Sequence, residues 1–285
     1  MTRRKRPPLS SNRQSYVDDR TAGRVVGEPL HYPMSVAAKY ERELDKLISA
    51  MRRAYEREVS ALWIETPPIT LDASLPSQAR IALNKLNASF EALFRKRAPE
   101  IVDGMLSGVD KHSASSLQMS LKKLSGGLTL KTSTMTAALK ESIKASSIEN
   151  VALIKSVATQ YHERVQGAVM RSIQQGGEGR KTILAELRDI GGMSTRRAKI
   201  IADDQTRKVT TALNTARATD LGIRKFKWMH SGGGVDQRKL HVEASGKIFD
   251  YDDPPAIGDR GEPVLPGQGI SCRCFAVPVL EWGQQ

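Results

Sequence analysis

The chain has 285 residues, of which 44 are Lys or Arg and 31 are Asp or Glu, so its formal net charge is +13. No stretch approaches the uninterrupted apolar run that a membrane-spanning helix needs, and no apolar core of a secretory signal follows the basic N-terminus. These features exclude the membrane-spanning class and predict a soluble protein without a membrane span.

The positive charge lies before Phe226, because the chain from that residue onward has 6 Lys or Arg against 8 Asp or Glu. Such an excess points to a polyanionic partner, with nucleic acid first and an acidic protein surface second. Aromatic residues make up only 5% of the chain, too few for rows of base-stacking platforms. Contacts to double-stranded DNA should therefore be directed at phosphates and independent of sequence. A solvated helical surface explains the same composition, and that interpretation stays open.

Residues 1–30 are rich in Lys and Arg and poor in apolar side chains, which is typical of a basic flexible arm that cannot fold alone. A second set of basic residues lies on a predicted helix that starts after Gly191-Gly192, with Ser194 as its cap, and ends at Gly222. The candidate DNA contacts come from both segments: Arg3, Arg4, Lys5, Arg6, Arg196, Arg207 and Lys208.

Residues 31–222 have the three- and four-residue apolar spacing of long helices. One helix is predicted from Pro33 to Leu62, and a second from Ser74 towards Lys123 with breaks at Gly104 and Gly108. A loop is predicted at Gly126-Gly127 and the threonine-rich LTLKTSTMT segment, after which the helical pattern resumes. Ser146 and Glu149 have capping-box spacing before an apolar stripe that ends at Gly176-Gly177. A short helix then precedes Gly191-Gly192. The basic helix after it is predicted to expose Arg196, Arg197, Arg207, Lys208 and Arg217.

From residue 223 the pattern changes to short alternating segments separated by Gly, Pro and Asp. Strands are predicted in IRKFKWMH and KIFDYDD, and no long helix follows. The sequence therefore predicts a mainly α protein: an elongated helical body followed by a small, loop-rich α+β C-terminal domain at residues 223–285.

This C-terminal region contains both cysteines of the chain, Cys272 and Cys274, and the spacing Asp236-x-Arg238-x-x-His241. Two thiolates and an imidazole can bind zinc when the backbone brings them together, with His230, Asp236 or water as the fourth ligand. A filled site would be a structural clip, whereas an open position would permit catalysis. Buried thiols beside a hydrogen-bonded His241 are the alternative, since Cys-x-Cys is a weak signal. For Arg238 and Arg273, bracing of loop carbonyls and of Asp236 is favoured over phosphate binding.

As a set, these motifs resemble the minor head (head morphogenesis) protein family of tailed double-stranded DNA phages, typified by the F protein of phage Mu. The resemblance rests on RRAKIIADDQTRKVTTALNTARATDLGIRKFKWMH, DQRKLH, Gly246 and PGQGISCRC, and extends over about residues 150–280. The family's signature positions fall on Arg197, Asp204, Gln205, Trp228, Arg238, His241, Gly246, Pro266, Gly269, Cys272, Arg273 and Cys274. Where relatives usually have a leucine-aspartate pair before the glycine, this chain has Ala244-Ser245.

The resemblance implies a minor capsid protein without enzymatic activity, present in few copies in the phage head interior after assembly in the host cytoplasm. Its implied partners are the portal protein, the major capsid or scaffold protein, and packaged DNA. The resemblance also implies a role in assembly, packaging or genome ejection. A zinc-dependent hydrolase or nuclease using His241, Cys272 and Cys274 is the alternative function, although two thiolate ligands are unusual for hydrolytic zinc. A plain DNA-binding accessory protein is a third.

Overall fold

The computed structural model describes residues 24–62, 75–124, 132, 134–174, 180–232 and 237–281. Within them the chain is mainly α, as predicted, with a small antiparallel sheet. The helices are α1 (Met34–Leu62), α2 (Leu75–Leu124), α3 (Ala137–Gln174), α4 (Arg180–Asp220) and α5 (Lys239–Glu243). The strands are β1 (Arg24–Val26), β2 (Lys225–Met229), β3 (Ile248–Asp250) and β4 (Phe275–Glu281).

The four long helices pack around one apolar core. On α1 the apolar stripe predicted from the sequence is buried, including Tyr40, Met51 and Tyr55. Tyr55 meets Tyr161 of α3 edge to face, with ring centroids 5.2 Å apart. The predicted helix start at Pro33 is therefore confirmed to within one residue, and Thr66-Pro67-Pro68, the predicted stop, lies outside the described residues.

Two glycine pairs do not interrupt helices as the sequence predicted. Helix α2 runs unbroken through Gly104 and Gly108, and a side chain at Gly108 would lie 2.9 Å from Val36 of α1. Helix α4 likewise passes through Gly191-Gly192, and a side chain at Gly191 would collide with Arg52 of α1. At Gly108, glycine permits the close approach of α1, and at Gly191 it leaves room for the Arg52 side chain. Burial of the flanking apolar residues outweighs the poor helix propensity of glycine.

Two predicted caps are also wrong. Helix α3 begins nine residues before Ser146, where the Thr136 hydroxyl accepts a hydrogen bond from the Leu139 amide at 3.3 Å. Inside α4, the Ser194 hydroxyl donates to the Ile190 carbonyl at 3.2 Å, so it does not cap a helix start. The predicted end of α4 is correct, since Gly222 has φ +78° directly after the last turn. The loop glycines 126–127 and 176–177 lie outside the described residues.

The sheet has the strand order β1-β4-β2-β3, and every neighbouring pair is antiparallel. Strand β1 comes from the predicted flexible arm, whose residues Arg24 to Val26 pair with Glu281 to Val279. This part of the arm prediction is wrong, because Val25, Val26 and Leu30 are buried against the sheet and the end of α2. Residues 1–23 lie outside the described part of the chain.

The sheet packs against the C-terminal ends of α2 and α4, where a second apolar core contains Leu117, Leu121, Phe226 and Trp228.

Arg217 of α4 was predicted to be exposed but is 2% accessible. Its guanidinium donates to Asp110, to the Ser113 hydroxyl and to the Thr132 carbonyl, which satisfies the buried charge.

The assignment of residues 31–222 and 223–285 to separate domains stays a prediction. Within the described ranges, none of the helices is both long and apolar enough to cross a membrane.

Candidate metal centre and the signature residues

The three predicted zinc ligands converge in one buried cluster, which we call the His-Cys-Cys cluster: His241, Cys272 and Cys274. Their potential ligand atoms all lie within 4.8 Å of one another. The two sulfur atoms are 3.5 Å and 3.7 Å from the same imidazole nitrogen, Nδ1 of His241. His241, Cys272 and Cys274 are 3%, 3% and 7% accessible, so all three are almost completely shielded from solvent.

Two short segments carry the cluster. His241 lies on α5, and the cysteines lie just before β4, where the Cys272 amide donates to the Gly269 carbonyl at 3.0 Å. Trp228 of β2 covers the imidazole edge to face, with ring centroids 5.1 Å apart. The connection from α5 to the sheet turns at Gly246, whose φ of +87° suits glycine and whose amide donates to the Trp228 carbonyl.

The tautomer of His241 follows from its second ring nitrogen. Nε2 lies 3.3 Å from the carbonyl oxygen of Ile257, and a carbonyl can only accept. The ring proton is therefore assigned to Nε2, and the lone pair of Nδ1 faces the two sulfurs. Metal-bound histidines commonly have this arrangement, with a carbonyl orienting the ring from behind.

The two thiols perturb each other. A hydrogen bond from Cys274 lowers the pKa of the Cys272 thiol, and the same contact, together with burial, raises the pKa of the Cys274 thiol. The buried indole N–H of Trp228 stabilises the thiolate form of Cys274 electrostatically, although it makes no hydrogen bond of normal geometry. The pocket is thus suited to at least one negatively charged sulfur.

Arg238 braces the loop that leads to the cysteines, and its carboxylate partner among the described residues is Asp259. Its guanidinium forms two hydrogen bonds with Asp259, at 2.6 Å and 3.0 Å, and a third with the Ile270 carbonyl at 3.0 Å. The paired guanidinium lowers the pKa of the Asp259 carboxyl. Asp259 was missed because it lies 21 residues beyond Arg238 in a loop without a recognisable motif.

Of the other proposed ligands, only His230 lies in the described part of the chain. His230 directs Nδ1 to the Gly232 amide at 3.1 Å, so it stabilises a turn. In the described part of the chain, His230 is not grouped with the cluster. Asp236 lies outside the described residues.

Asp204 connects α4 to the cysteine segment. Its carboxylate accepts the backbone N–H of Ser271 at 3.0 Å and pairs with Lys208 at 3.1 Å. Ser271 has φ +56°, an uncommon conformation for a residue other than glycine, directly before Cys272. Asp204 therefore holds the backbone in the turn that aims the cysteines inward.

Most of the remaining signature residues have structural contacts. The Pro266 carbonyl accepts the Thr211 hydroxyl at 2.7 Å, and Gly269 packs against Cys272 and His241. Arg273 is exposed and lines a cavity of about 770 Å³ between α4, the start of α1 and the sheet.

Gln205 and Arg197 lie between α3 and α4. Buried Gln205 donates to Glu149 at 3.1 Å and accepts from Asn150 at 3.3 Å, while Arg197 donates to the Ser156 hydroxyl at 3.1 Å. Asn150 in turn accepts the Tyr40 hydroxyl of α1. The sequence identified Gln205 as a signature position but did not predict its buried hydrogen bonds, because the partners of Gln205 come from distant parts of the chain.

The candidate DNA contacts are not equivalent. Arg196 is exposed, whereas Arg207 stacks over the Tyr32 ring at 3.7 Å and Lys208 is paired with Asp204. Two of the three candidates on α4 therefore have partners inside the fold. Arg3, Arg4, Lys5 and Arg6 lie outside the described residues.

Comparison with known proteins finds a similar protein and a matching family model. A protein of Haemophilus influenzae (strain Rd), described as "Uncharacterized protein", is 32% identical over 251 residues, which are 86% of this chain and 54% of that protein. The chain thus spans about half the length of this relative. No solved structure matches the present chain. Residues 163–277, from α3 into β4, match the family described as "Phage Mu protein F like protein", and the chain therefore carries a Mu F-like region that confirms the resemblance read from its sequence.

Proposed function

We propose that the protein is a minor capsid protein of a tailed double-stranded DNA phage, acting in head morphogenesis. The observation that carries this proposal is the Mu F-like region, which contains every residue of the His-Cys-Cys cluster and all the signature positions. Its expected partners are the portal protein and the major capsid or scaffold protein, and its expected location is the head interior after assembly in the host cytoplasm. Involvement in assembly, packaging or genome ejection belongs to the same proposal.

The charge distribution supports contact with packaged DNA. The first 225 residues carry the whole positive excess of the chain. A sequence-independent attraction to phosphates suits a protein that meets whatever genome is packaged. Exposed Arg196 and the basic residues at positions 3–6 are the proposed contacts.

We further propose that the His-Cys-Cys cluster holds a structural zinc ion. In a tetrahedral site with typical Zn–S and Zn–N bonds, sulfur and nitrogen ligands lie about 3.6 Å apart. The observed separations of 3.5 Å and 3.7 Å match this value before any movement of the side chains. A zinc ion here would tie α5 to the segment preceding β4. The sequence offers Asp236 as a fourth ligand.

The zinc-dependent hydrolase or nuclease hypothesis gains no support from this geometry. His241 and both cysteines are buried, and Trp228 covers the imidazole; of the three, only Cys274 lines the cavity of about 770 Å³ that Arg273 also lines. Thiolate-rich zinc sites are usually structural, whereas hydrolytic sites favour histidine and carboxylate. A structural role without enzymatic activity is therefore the proposal we retain.

Purified phage particles provide the test of the head role. Quantitative mass spectrometry should find the protein in DNA-filled heads in few copies relative to the major capsid protein. Isolated tails serve as the control fraction and should lack it. Recovery of the protein only in the soluble lysate, with none in heads at any stage of assembly, would refute the proposal.

A further inference from the structure

A surface groove follows the seam between α3 and α4. It has a volume of about 540 Å³ and is lined on α4 by residues at three- and four-residue steps from Met193 to Lys208. Residues from Glu149 to Arg164 line it on α3. The helices are antiparallel, since Arg164 contacts the Met193 sulfur at one end and Gln205 contacts Glu149 at the other. Each wall spans sixteen residues of helix. The fifteen rises between the end residues give a groove about 22 Å long, the length of about four helical turns.

Three large apolar side chains are exposed along this groove. Met193 at one end is 38% accessible, Ile200 in the middle is 54%, and Ile270 at the other end is 61%. Ile270 belongs to the segment that leads into Cys272, so two distant parts of the sequence build one apolar line. An aligned set of this kind is typical of a groove that receives the apolar face of a helix.

The groove has an excess of positive charge. Its lining includes four cationic side chains, Arg164, Arg196, Arg197 and Lys208, against two acidic ones, Glu149 and Asp204. Lys208 is paired with Asp204, whereas Arg164 and Arg196 at the Met193 end make no ion pair within the described part of the chain. Carboxylates of a partner would satisfy these donors.

We propose that this groove binds an acidic amphipathic helix of another protein. Apolar residues of that helix would cover Met193, Ile200 and Ile270, and its acidic flank would face Arg164 and Arg196. That the partner is another head protein rests on the proposed function, but the chemistry of the groove does not. Arg196 is also a proposed DNA contact, but DNA is the less suitable occupant of the groove as a whole, because phosphates and sugars would leave Ile200 and Ile270 exposed. A second copy of this chain would require the same positive surface to face itself.

The experiment measures fluorescence anisotropy of a labelled helical peptide of about 16 residues mixed with the full-length protein. The probe has leucines along one face and glutamates on both flanks. One control peptide has the same composition with the leucines spread around the helix, and another has lysine in place of glutamate. The acidic amphipathic peptide should bind about tenfold or more tightly than either control.

Matched variants locate the binding site. Ile200→Asp should weaken binding about tenfold, whereas Ile81→Asp, a change at a comparably exposed isoleucine on α2, should not affect it. Arg196→Glu should weaken binding most at low salt, whereas Arg95→Glu on α2 should not.

Equal binding of all three peptides, or insensitivity to Ile200→Asp, would overturn the proposal. Two other results would also overturn it. One is a dimer in analytical sedimentation that Ile200→Asp abolishes. The other is displacement of the peptide by duplex DNA that Ile200→Asp leaves unchanged. Packaging into heads is measured independently, so a failure here is distinguishable from a failure of the head assignment.

Discussion

At the scale of single residues, His241 faces two thiols with one nitrogen and a backbone carbonyl with the other. Without a metal, Cys274 can donate to Cys272 and Cys272 to the lone pair of Nδ1, so the cluster can satisfy its own hydrogen bonds. A zinc ion would accept all three ligands at once. The sequence identified these residues, but only the fold shows that they meet.

The zinc proposal predicts about one metal ion per purified chain. Cys272→Ser, Cys274→Ser and His241→Ala should each abolish zinc binding, because a structural site needs every ligand. The measurement is metal content by mass spectrometry after gel filtration. His230→Ala is the matched control and should retain zinc, since His230 lies in a separate turn. Metal-free wild-type protein with an intact C-terminal fold would assign the residues to an apolar core instead.

Asp204 provides a second prediction at this scale. Asp204→Ala should weaken zinc binding about 10- to 100-fold, because the Ser271 turn loses its acceptor and the cysteines become less well positioned. Competition with a zinc chelator measures the change. The neighbouring Asp203, which instead accepts the Tyr32 hydroxyl at 2.8 Å, is the control. If Asp203→Ala and Asp204→Ala bind zinc with equal affinity, Asp204 does not position the cysteines.

At the scale of elements, the helices show what sequence periodicity can and cannot predict. The apolar stripe of α1 placed that helix correctly. The predicted interruptions at Gly104, Gly108 and Gly191-Gly192 were wrong because helix packing at Val36 and Arg52 depends on contacts with a distant part of the chain. Helix propensity is a local quantity and does not contain these contacts.

Strands β2 and β3 were predicted from their alternating patterns, whereas β1 and β4 were missed. Strand β1 has only three residues, and β4 contains Pro278 although it lies in the middle of the sheet. Proline usually argues against a central strand. Its carbonyl still accepts from the Gly27 amide at 2.9 Å, which helps to hold the N-terminal segment in place.

The role of β1 can be tested by two truncations. Removal of residues 1–31 should destabilise the sheet by about 4 kcal/mol or more, because Val25, Val26 and Leu30 lose their burial and β4 becomes an edge strand. Hydrogen exchange should accelerate in residues 275–281. Removal of residues 1–23 alone keeps β1 and should leave exchange in β4 unchanged. If both truncated proteins exchange like the full chain, β1 is not part of the stable sheet.

At the scale of the whole molecule, the charge asymmetry predicts sequence-independent binding of duplex DNA. Affinity should fall by orders of magnitude between about 50 and 200 mM salt if several phosphates are contacted. Residues 1–23 contain six Lys or Arg and two Asp, so their deletion should make the dependence on salt shallower. Filter binding with two unrelated duplexes is the measurement. A salt-independent affinity would instead favour a solvated surface.

The head assignment implies that the gene lies in a phage genome, and deletion of the gene there is the most direct test. Particles from the deletion should be misassembled or non-infectious by electron microscopy and plaque assay. The wild-type gene supplied in trans should restore them, and His241→Ala should restore them poorly. Normal yields of infectious, DNA-filled heads from the deletion would contradict the account.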